Sequence, residues 1–429
     1  MKKIFSVLGF IILAFVLVSG VFAGGKKDTG AKPIEITILT RATEAEQPQI
    51  YQTIAAFKKA NEGKIVVIEN HISDEQANLD RMRTGFAAGN PPNIFHGYGG
   101  SREYLYAKNG QLVNLDSVIE ADKEWSGKFL NLWDKWQYPD VPGTFGVPYE
   151  MVASTLFINT QIFQECGLQD PVTIEDFERC CDALLRRGYI PLALGEKDIW
   201  RAGHFFNFLV MKSIGADGVT RLANRTLRYD SPEIRNLIQK IYDYNQKGYF
   251  GPNAVSVDYQ QEQILFFTGK SAMHFDGTWS LGMMNDAEVV DNIKPVPFPY
   301  INPAKATSTF GNAIGLSITK NTPAVEEASL SLVKALSSED YFLLLYRLKS
   351  GQLLPAKVNQ AQLDRIPVSR IFKETKAIVD TGTEFRDDVQ TYDPVPSLLD
   401  TVRYSLQGLF VGKTVDQCIA EIMNEIATR

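Results

Sequence analysis

Arg41 and Glu44 stand in the loop after the apolar, alternating run Ile34–Leu39, and Tyr98 follows His96-Gly97 after another such run. Trp200 closes the polar stretch from Gly195 to Ile199, and Asp276, Gly277 and Trp279 follow Ser271–Phe275. These are a guanidinium, carboxylates and flat aromatic rings at the ends of strand-like segments. Arg can fork onto hydroxyls or a carboxylate; an ordinary solvent-exposed loop charge is the competing reading. Glu44, Glu150 and Asp276 offer the carboxylates from which a glycoside hydrolase would need a pair, about 5–5.5 Å or 6.5–9.5 Å apart. Asp276 suits a hydroxyl acceptor or a helix cap equally well. Tyr392 and Asp393, in a late loop before Pro394, are weaker candidates.

Other chemistries lack their residues. There is no Gly-x-Ser-x-Gly elbow, no His-Glu-x-x-His and no P-loop. Four His and four Cys leave few ligands for zinc or thiol work. His96 has no second His at metal-site spacing and reads as structural, so neither metal nor cofactor is expected. Cys180 and Cys181 are neighbours, Cys166 lies on a short turn and Cys418 is remote. Adjacent positions on a helix point to different sides, so the four read as small buried hydrophobes. The net charge of −6 is a poor match for nucleic acid.

The elements that must position these residues follow from periodicity. Ile34–Leu39, Ile65–Glu69 and Asn93–His96 read as strands. Helices are expected at Ile50–Asn61, Leu79–Ala88 and Tyr104–Lys108. This βαβ order implies a parallel sheet with helices on its faces. Further strands are expected at Ser154–Asn159, Pro191–Leu194, Ser271–Phe275 and Ala313–Ile318, with an extended segment at Pro295–Pro299. Helices are expected at Thr173–Leu185, Gly203–Ile214, Pro232–Gln246, Tyr259–Phe267, Pro323–Leu336, Glu339–Leu348, Ser397–Gly408 and Val415–Ala427. Thr173 and Asp176 have capping-box spacing. At 429 residues and 45% apolar, the chain suits two or three domains of ordinary globular composition.

The first segment reads as an address. Met1-Lys2-Lys3 is basic, Ile4–Val18 is almost wholly apolar, and Val21-Phe22-Ala23 suits cleavage after Ala23. The apolar run is shorter than the roughly 20 residues of a membrane span. Positions 20–30 hold no Cys for a lipid. Residues 1–23 are therefore expected to be a signal peptide and 24–32 a flexible leader, with a periplasm as the natural compartment.

Several motifs in fixed order carry a family resemblance. Phe86-Ala87-Ala88-Gly89-Asn90-Pro91-Pro92-Asn93-Ile94 matches an Ala-x-Gly-x-x-Pro-Asp-Val stretch, with Asn93 where Asp is usual. Gly110–Leu115 matches Gly-x-Leu-x-x-Leu. Gly146-Val147-Pro148-Tyr149 and Leu156-Phe157-Ile158-Asn159 match Gly-x-Pro-Tyr and Tyr-Asn segments. Phe267–Met273 followed by Gly277-Thr278-Trp279 matches the most diagnostic stretch. The chain thus resembles the bacterial extracellular solute-binding proteins of family 1, sugar-binding components of ABC importers.

The resemblance implies a two-lobed α/β periplasmic-binding-protein fold of type II, with hinge strands joining two helix-flanked sheets. Residues 33–151 and 312–352 would form the N-lobe, and 152–311 and 353–429 the C-lobe. The chain would cross near Met151–Val152, Phe310–Gly311 and Gln352–Leu353. A carbohydrate ligand, ABC permease subunits as partners, a monomeric state, no enzymatic activity and membrane contact only through the permease follow as expectations. A sugar needs polar groups for its hydroxyls and aromatic planes for its C–H faces. On that reading Trp279 stacks on the ligand, although a core Trp is the alternative. Tyr149 and Glu150 would line the cleft floor, and Phe310 and Asn312 would flank the second crossing. Arg41, Glu44, Tyr98, Trp200 and Asp276 complete the expected ligand-binding set. A ligand-presenting sensor is the second rival to transport, beside the hydrolase. Sites in open α/β sheets lie beyond the carboxyl ends of strands, which independently selects the loops after Leu39, Phe95, Leu194 and Phe275.

Overall fold

The computed structural model describes residues 32–130 and 132–428. The expected signal peptide and all but the last residue of the expected leader lie outside the described residues. Nine strands occur among the described residues: β1 (Ile34–Thr40), β2 (Ile65–His71), β3 (Ile94–Gly97), β4 (Val147–Asn159), β5 (Ile190–Ala193), β6 (Ser271–Gly277), β7 (Ile293–Val296), β8 (Ser308–Ile318) and β9 (Glu384–Arg386). They join in the order β2-β1-β3-β8-β4-β6-β5, with β7 on β4 and β9 on β8. β1 pairs in parallel with β2 and β3, and β5 with β6. The remaining β4 and β8 pairings, apart from β9, are antiparallel. The parallel pairing expected of the first three strands holds, and the sheet as a whole is mixed because β4 and β8 return through its middle.

Two cores lie at the two ends of this sheet. On the β1 side Ile36, Ile38, Ile54, Ile94, Leu316 and Leu332 pack together. On the β6 side Leu156, Phe177, Leu192, Phe205 and Phe275 do so. β4 and β8 run through from one core to the other. Val147–Ala153 pairs with β8, and Ser154–Ile158 pairs with β6. The partner exchange falls at Ala153–Ser154, two residues past the expected crossing. A register shift between Pro148 and Glu150 inserts Tyr149 as an extra residue, bending the strand where it leaves the first core. Leu353 packs with Ala153 and Phe157, whereas Leu354, Ala356 and Val358 pack back on the β1 side. That last stretch departs from the expected C-lobe assignment.

Local chemistry explains where the helices begin. Thr173 and Asp176 form the expected capping box, closing the Ile174–Arg186 helix. The Glu75–Ala87 helix starts four residues before the expected Leu79, because the Asp74 carboxylate accepts from the Ala77 N–H. The Trp200–Ser213 helix also starts early. Ile199 takes φ +56°, turning the chain sharply, and a Glu196 carboxyl oxygen accepts from the Ala202 N–H at 2.6 Å. Trp200 is therefore a first-turn helical residue and not a loop residue. An Arg370–Asp380 helix, capped by Ser369, occupies a stretch with no sequence expectation. Cys166, Cys180, Cys181 and Cys418 are unbonded, and the last three are buried. Among the described residues no helix is long and apolar enough to cross a membrane.

Candidate functional site

The parallel strands aim their carboxyl ends at one another across the sheet's middle. From the β1 side come Arg41, Glu75 just past β2, Tyr98 and Arg102. From the β6 side come Trp200, His204, Tyr259, Asp276 and Trp279. The late segment adds Asp387, Asp388 and Arg403.

On the β1 side Arg41 donates one N–H to the Tyr98 hydroxyl and another to the Ser73 carbonyl at 3.0 Å. The Tyr98 ring carries the Arg102 guanidinium 5.1 Å from its centroid, a favourable cation–π distance. Glu75 sits 2.8 Å from Arg102 and 3.5 Å from Arg41. Burial opposes its charge, but the surrounding guanidiniums hold its carboxyl well below the ordinary range. His96 Nδ1 lies 2.8 Å from the Tyr149 hydroxyl. Burial and the nearby Arg41 push the His96 pKa down to about 3, so this imidazole is neutral at pH 7. Gly99 and Gly100 adopt left-handed φ of +62° and +57°. A Cβ on Gly100 would meet the Thr391 carbonyl at 2.5 Å. Only glycine lets the Tyr98 loop approach the late segment this closely.

On the β6 side aromatic rings meet edge to face. Trp200 lies 4.9 Å from Tyr259 and 4.7 Å from His204, and His204 lies 6.2 Å from Trp279. Beneath them runs a buried polar chain. The Trp279 indole N–H donates to the Tyr259 hydroxyl at 2.7 Å, and that hydroxyl donates to the Asp276 carboxylate at 2.8 Å. His274 Nε2 is 2.9 Å from Asp276, and its Nδ1 is 3.1 Å from Glu262. Glu262 pairs with the fully buried Arg201. Burial disfavours the Asp276 carboxylate, yet His274 and Arg201 bring its pKa down to about 2. A Cβ on Gly277 would strike the Trp279 ring at 2.0 Å; glycine there lets the indole fold back over the backbone.

Arg403 joins the two sides. It reaches Asp388 at 2.8 Å and Glu75 at 3.4 Å. Arg83 and Asp400 make a second pair across the same gap, at 3.0 Å. His204 Nε2 is 3.8 Å from Asp388. Lys135, almost fully buried, pairs with Asp387 and donates to the Asn312 amide oxygen and the Ala313 carbonyl. Among the described residues, the buried nitrogens Arg41 Nε, His96 Nε2, His204 Nδ1 and Arg403 Nε have no hydrogen-bond partner. Buried polar atoms are ordinarily paired, so these are the atoms a polar ligand would satisfy.

The expected residues divide among different environments. Arg41, Tyr98, Trp200 and Trp279 are half-buried around the junction. Asp276 belongs to the polar chain under Trp279, with its oxygens engaged by Tyr259, His274 and the Gly277 N–H. Asn312 joins the Lys135 cluster. Phe310 is buried between His204 and Phe208. Tyr149 is buried in the β1-side core. Glu150 is buried under Gln352, which donates to it at 3.3 Å, and burial raises its pKa. Glu44 is exposed on a turn, where Glu46 holds the Thr43 N–H at 2.8 Å. Asp393 is engaged by Arg225 at 2.6 Å. Glu75, Arg102, His204, Tyr259, Asp388 and Arg403 were outside the expected set. The paired carboxylates Asp387-Asp388 in a late loop, and Glu75 directly after a cap, are the signals that point to two of them.

A sequence profile of the bacterial extracellular solute-binding proteins matches residues 41–341. A multiple sugar-binding protein of Streptococcus mutans is 22% identical over 340 residues, covering 76% of each chain. An ABC transporter extracellular-binding protein of Pyrococcus horikoshii is 24% identical over 243 residues, so the chain spans about half (52%) of that relative and 51% of itself is matched. Among solved structures, a chitin oligosaccharide binding protein superposes with a TM-score of 0.83 at 20% identity, over 92% of this chain and 99% of that one. The GacH receptor of Streptomyces glaucescens superposes with a TM-score of 0.74 at 17% identity, over 92% and 98%. These likenesses establish the two-lobed solute-binding fold. The profile match spans most of the molecule, the strand-end junction included, and on it the chain belongs to the bacterial extracellular solute-binding protein family.

Proposed function

We propose that this chain captures a carbohydrate between the β1 and β6 sides and delivers it to the permease of an ABC importer. The observation that carries the reading is the convergence of Trp200 and Trp279 with Arg41, Arg403 and two neutral histidines at one strand-end junction. Aromatic planes suit sugar C–H faces, and the unpartnered Arg and His nitrogens suit hydroxyls. The names of the Streptococcus and chitin-oligosaccharide relatives support the same ligand class. The carboxylates a hydrolase would need stand apart in character: Glu44 is exposed, Glu150 is buried under Gln352, and Asp276 is held by His274.

In the proposed cycle, residues 33–151 and 312–352 move as one lobe and residues 152–311 and 353–429 as the other, with 354–358 riding on the first. β4 and β8 bend where they exchange partners. The Glu75–Arg403 and Arg83–Asp400 pairs form on closure, and only the closed form engages the permease. Membership of an extracellular family makes this an exported protein. A periplasmic location, cleavage near Ala23 and a monomeric state complete the proposal.

A thermal-shift panel of sugars, sugar alcohols and glycerol phosphodiesters, followed by solution scattering, tests it. The expected result is stabilisation by a carbohydrate together with a smaller radius of gyration. Turnover of a nitrophenyl glycoside panel, or an unchanged scattering profile at saturating sugar, would count against it.

A further inference from the structure

Away from the junction, Lys212 is a buried cation without a counter-ion. It stands in the last turn of the Trp200–Ser213 helix and is 4% exposed. Its ammonium donates to the Ala306 carbonyl at 2.7 Å, and among the described residues no carboxylate pairs with it. The carboxylates closest in sequence to the segments around it are spent elsewhere. Glu384 takes Lys305 at 2.6 Å and the Ala216 N–H at 2.8 Å, and Asp380 takes Lys376 at 2.6 Å. One carbonyl and the end of a helix offer partial charges, not a counter-ion. Burial pushes the Lys212 pKa down to about 8, which still leaves the ammonium protonated at pH 7. Burying an uncompensated charge is costly.

Lys212 lines a cavity of about 20 Å³ together with Ser154, Thr155, Ser308 and Thr309. The cavity lies where the sheet forks. β4 leaves β8 after the Ala153–Gly311 pair and meets β7 only from Leu156 onward, while Ser308–Phe310 of β8 pairs with β9. Ser154 and Thr155 border the gap so formed. The Ser154 hydroxyl, in a residue 4% exposed, has no hydrogen-bond partner among the described residues. The acceptors nearby are taken: Thr155 donates to the Val296 carbonyl at 2.6 Å, and Ser308 Oγ lies 2.6 and 2.7 Å from the Met211 and Lys305 carbonyls. What remains unspent is donors, the other ammonium protons of Lys212 and the Ser154 O–H. We propose that this fork holds one monovalent anion of chloride size, bound by Lys212 Nζ and Ser154 Oγ. A volume of about 20 Å³ admits a single water-sized particle and shuts out sulfate, phosphate or a sugar. Water would satisfy the hydroxyl but leave the charge unanswered. The lining residues are not those of the strand-end junction, so the site stands apart from whatever the chain captures there.

The test uses the purified protein at constant ionic strength, with sodium chloride or bromide exchanged for sodium gluconate, whose anion is too large for the cavity. The melting temperature is expected to rise and saturate with chloride and with bromide, and not with gluconate. Crystals grown in bromide are expected to show an anomalous peak between Lys212 Nζ and Ser154 Oγ. Lys212→Met keeps the length of the side chain and removes the charge; it is expected to lose the halide response and to melt in gluconate no lower than wild type. Ser154→Ala is expected to weaken the response without abolishing it. Bromide peaks at the surface alone, or water alone in the fork of wild-type crystals grown in bromide, would overturn the proposal. So would a Lys212→Met protein that still responds to halide as wild type does. The wild-type crystal decides the question even where Lys212→Met fails to fold.

Discussion

The indole N–H of Trp279 donates to the hydroxyl of Tyr259 at 2.7 Å. That hydroxyl spends its own proton on the ionised Asp276, so it can only accept from the indole. The indole can only donate, so the two bonds run one way, from Trp279 through Tyr259 to Asp276, which is itself paired with buried His274.

Trp279→Ala should weaken ligand binding tenfold or more, the equivalent of about 1.4 kcal/mol. Tyr259→Phe keeps the ring but leaves the indole N–H unpaired and takes one donor from Asp276, whose oxygens keep His274 and the Gly277 N–H. It should cost roughly 1–3 kcal/mol of stability and change tryptophan emission, while weakening binding less than removal of Trp279. Calorimetry and thermal melts separate the two effects; equal affinity of wild type and Trp279→Ala would remove Trp279 from the site.

Asp276 also governs acid stability. Its folded pKa of about 2 lies below the ordinary value of 3.8, so it contributes stability above pH 4 that is lost as pH falls through the folded pKa. The contribution is roughly 2 kcal/mol. The stability gap between wild type and Asp276→Asn should therefore be wide at neutral pH and narrow from about pH 4 to about pH 2. Urea unfolding across that range measures it; a constant gap would mean the carboxylate is not held ionised.

Glu196 should behave in the opposite sense. Burial raises its pKa from 4.5 to about 8, so the folded state keeps a proton that the unfolded chain releases. Stability then falls as pH rises from about 4.5 to about 8. Glu196→Gln keeps an acceptor for the Ala202 N–H and removes the ionisable group. It should raise the melting temperature at pH 8 and have little effect at pH 4. A variant no more stable at pH 8 than wild type would count against this.

Ile199 is a β-branched residue with φ +56°. Left-handed backbone costs such a residue about 1–2 kcal/mol. Ile199→Gly should recover roughly 1 kcal/mol, visible as a higher melting temperature, unless the loss of the Ile side chain outweighs it. In that case Ile199→Asn, which tolerates this region better, should still exceed Ile199→Val.

The cysteines should be slow to react. Burial pushes the Cys180 thiol up to about 11 and the Cys418 thiol up to about 12, so little thiolate forms at neutral pH. Mass spectrometry after native alkylation should find half-buried Cys166 modified first and ligand affinity unchanged. Rapid labelling of Cys181 or Cys418 without denaturant would show that the β6-side core opens.

Local signals in this chain are strong and local structure obeys them. Alternation specifies β1 at Ile34–Thr40, and Thr173 with Asp176 starts its helix by two reciprocal bonds, each side chain accepting from the other's backbone N–H. The motif order from Phe86 to Trp279 was enough to name the family, and Arg41, Tyr98 and Trp279 fall at the junction because they stand just past strand ends, whereas Trp200 opens a helix. Other things depend on atoms far apart in sequence. Arg403 meets Glu75 only because the fold brings the helix at Leu398–Gly408 beside the start of a helix laid down more than three hundred residues earlier. Asp276 and Tyr149 look alike in the sequence, as polar groups near the site, but burial and partners turn one into the base under Trp279 and the other into core. Periodicity reports which face of an element is apolar. Which charge meets which, and hence which side chains remain free to hold a ligand, is settled only when the whole chain excludes water from the junction.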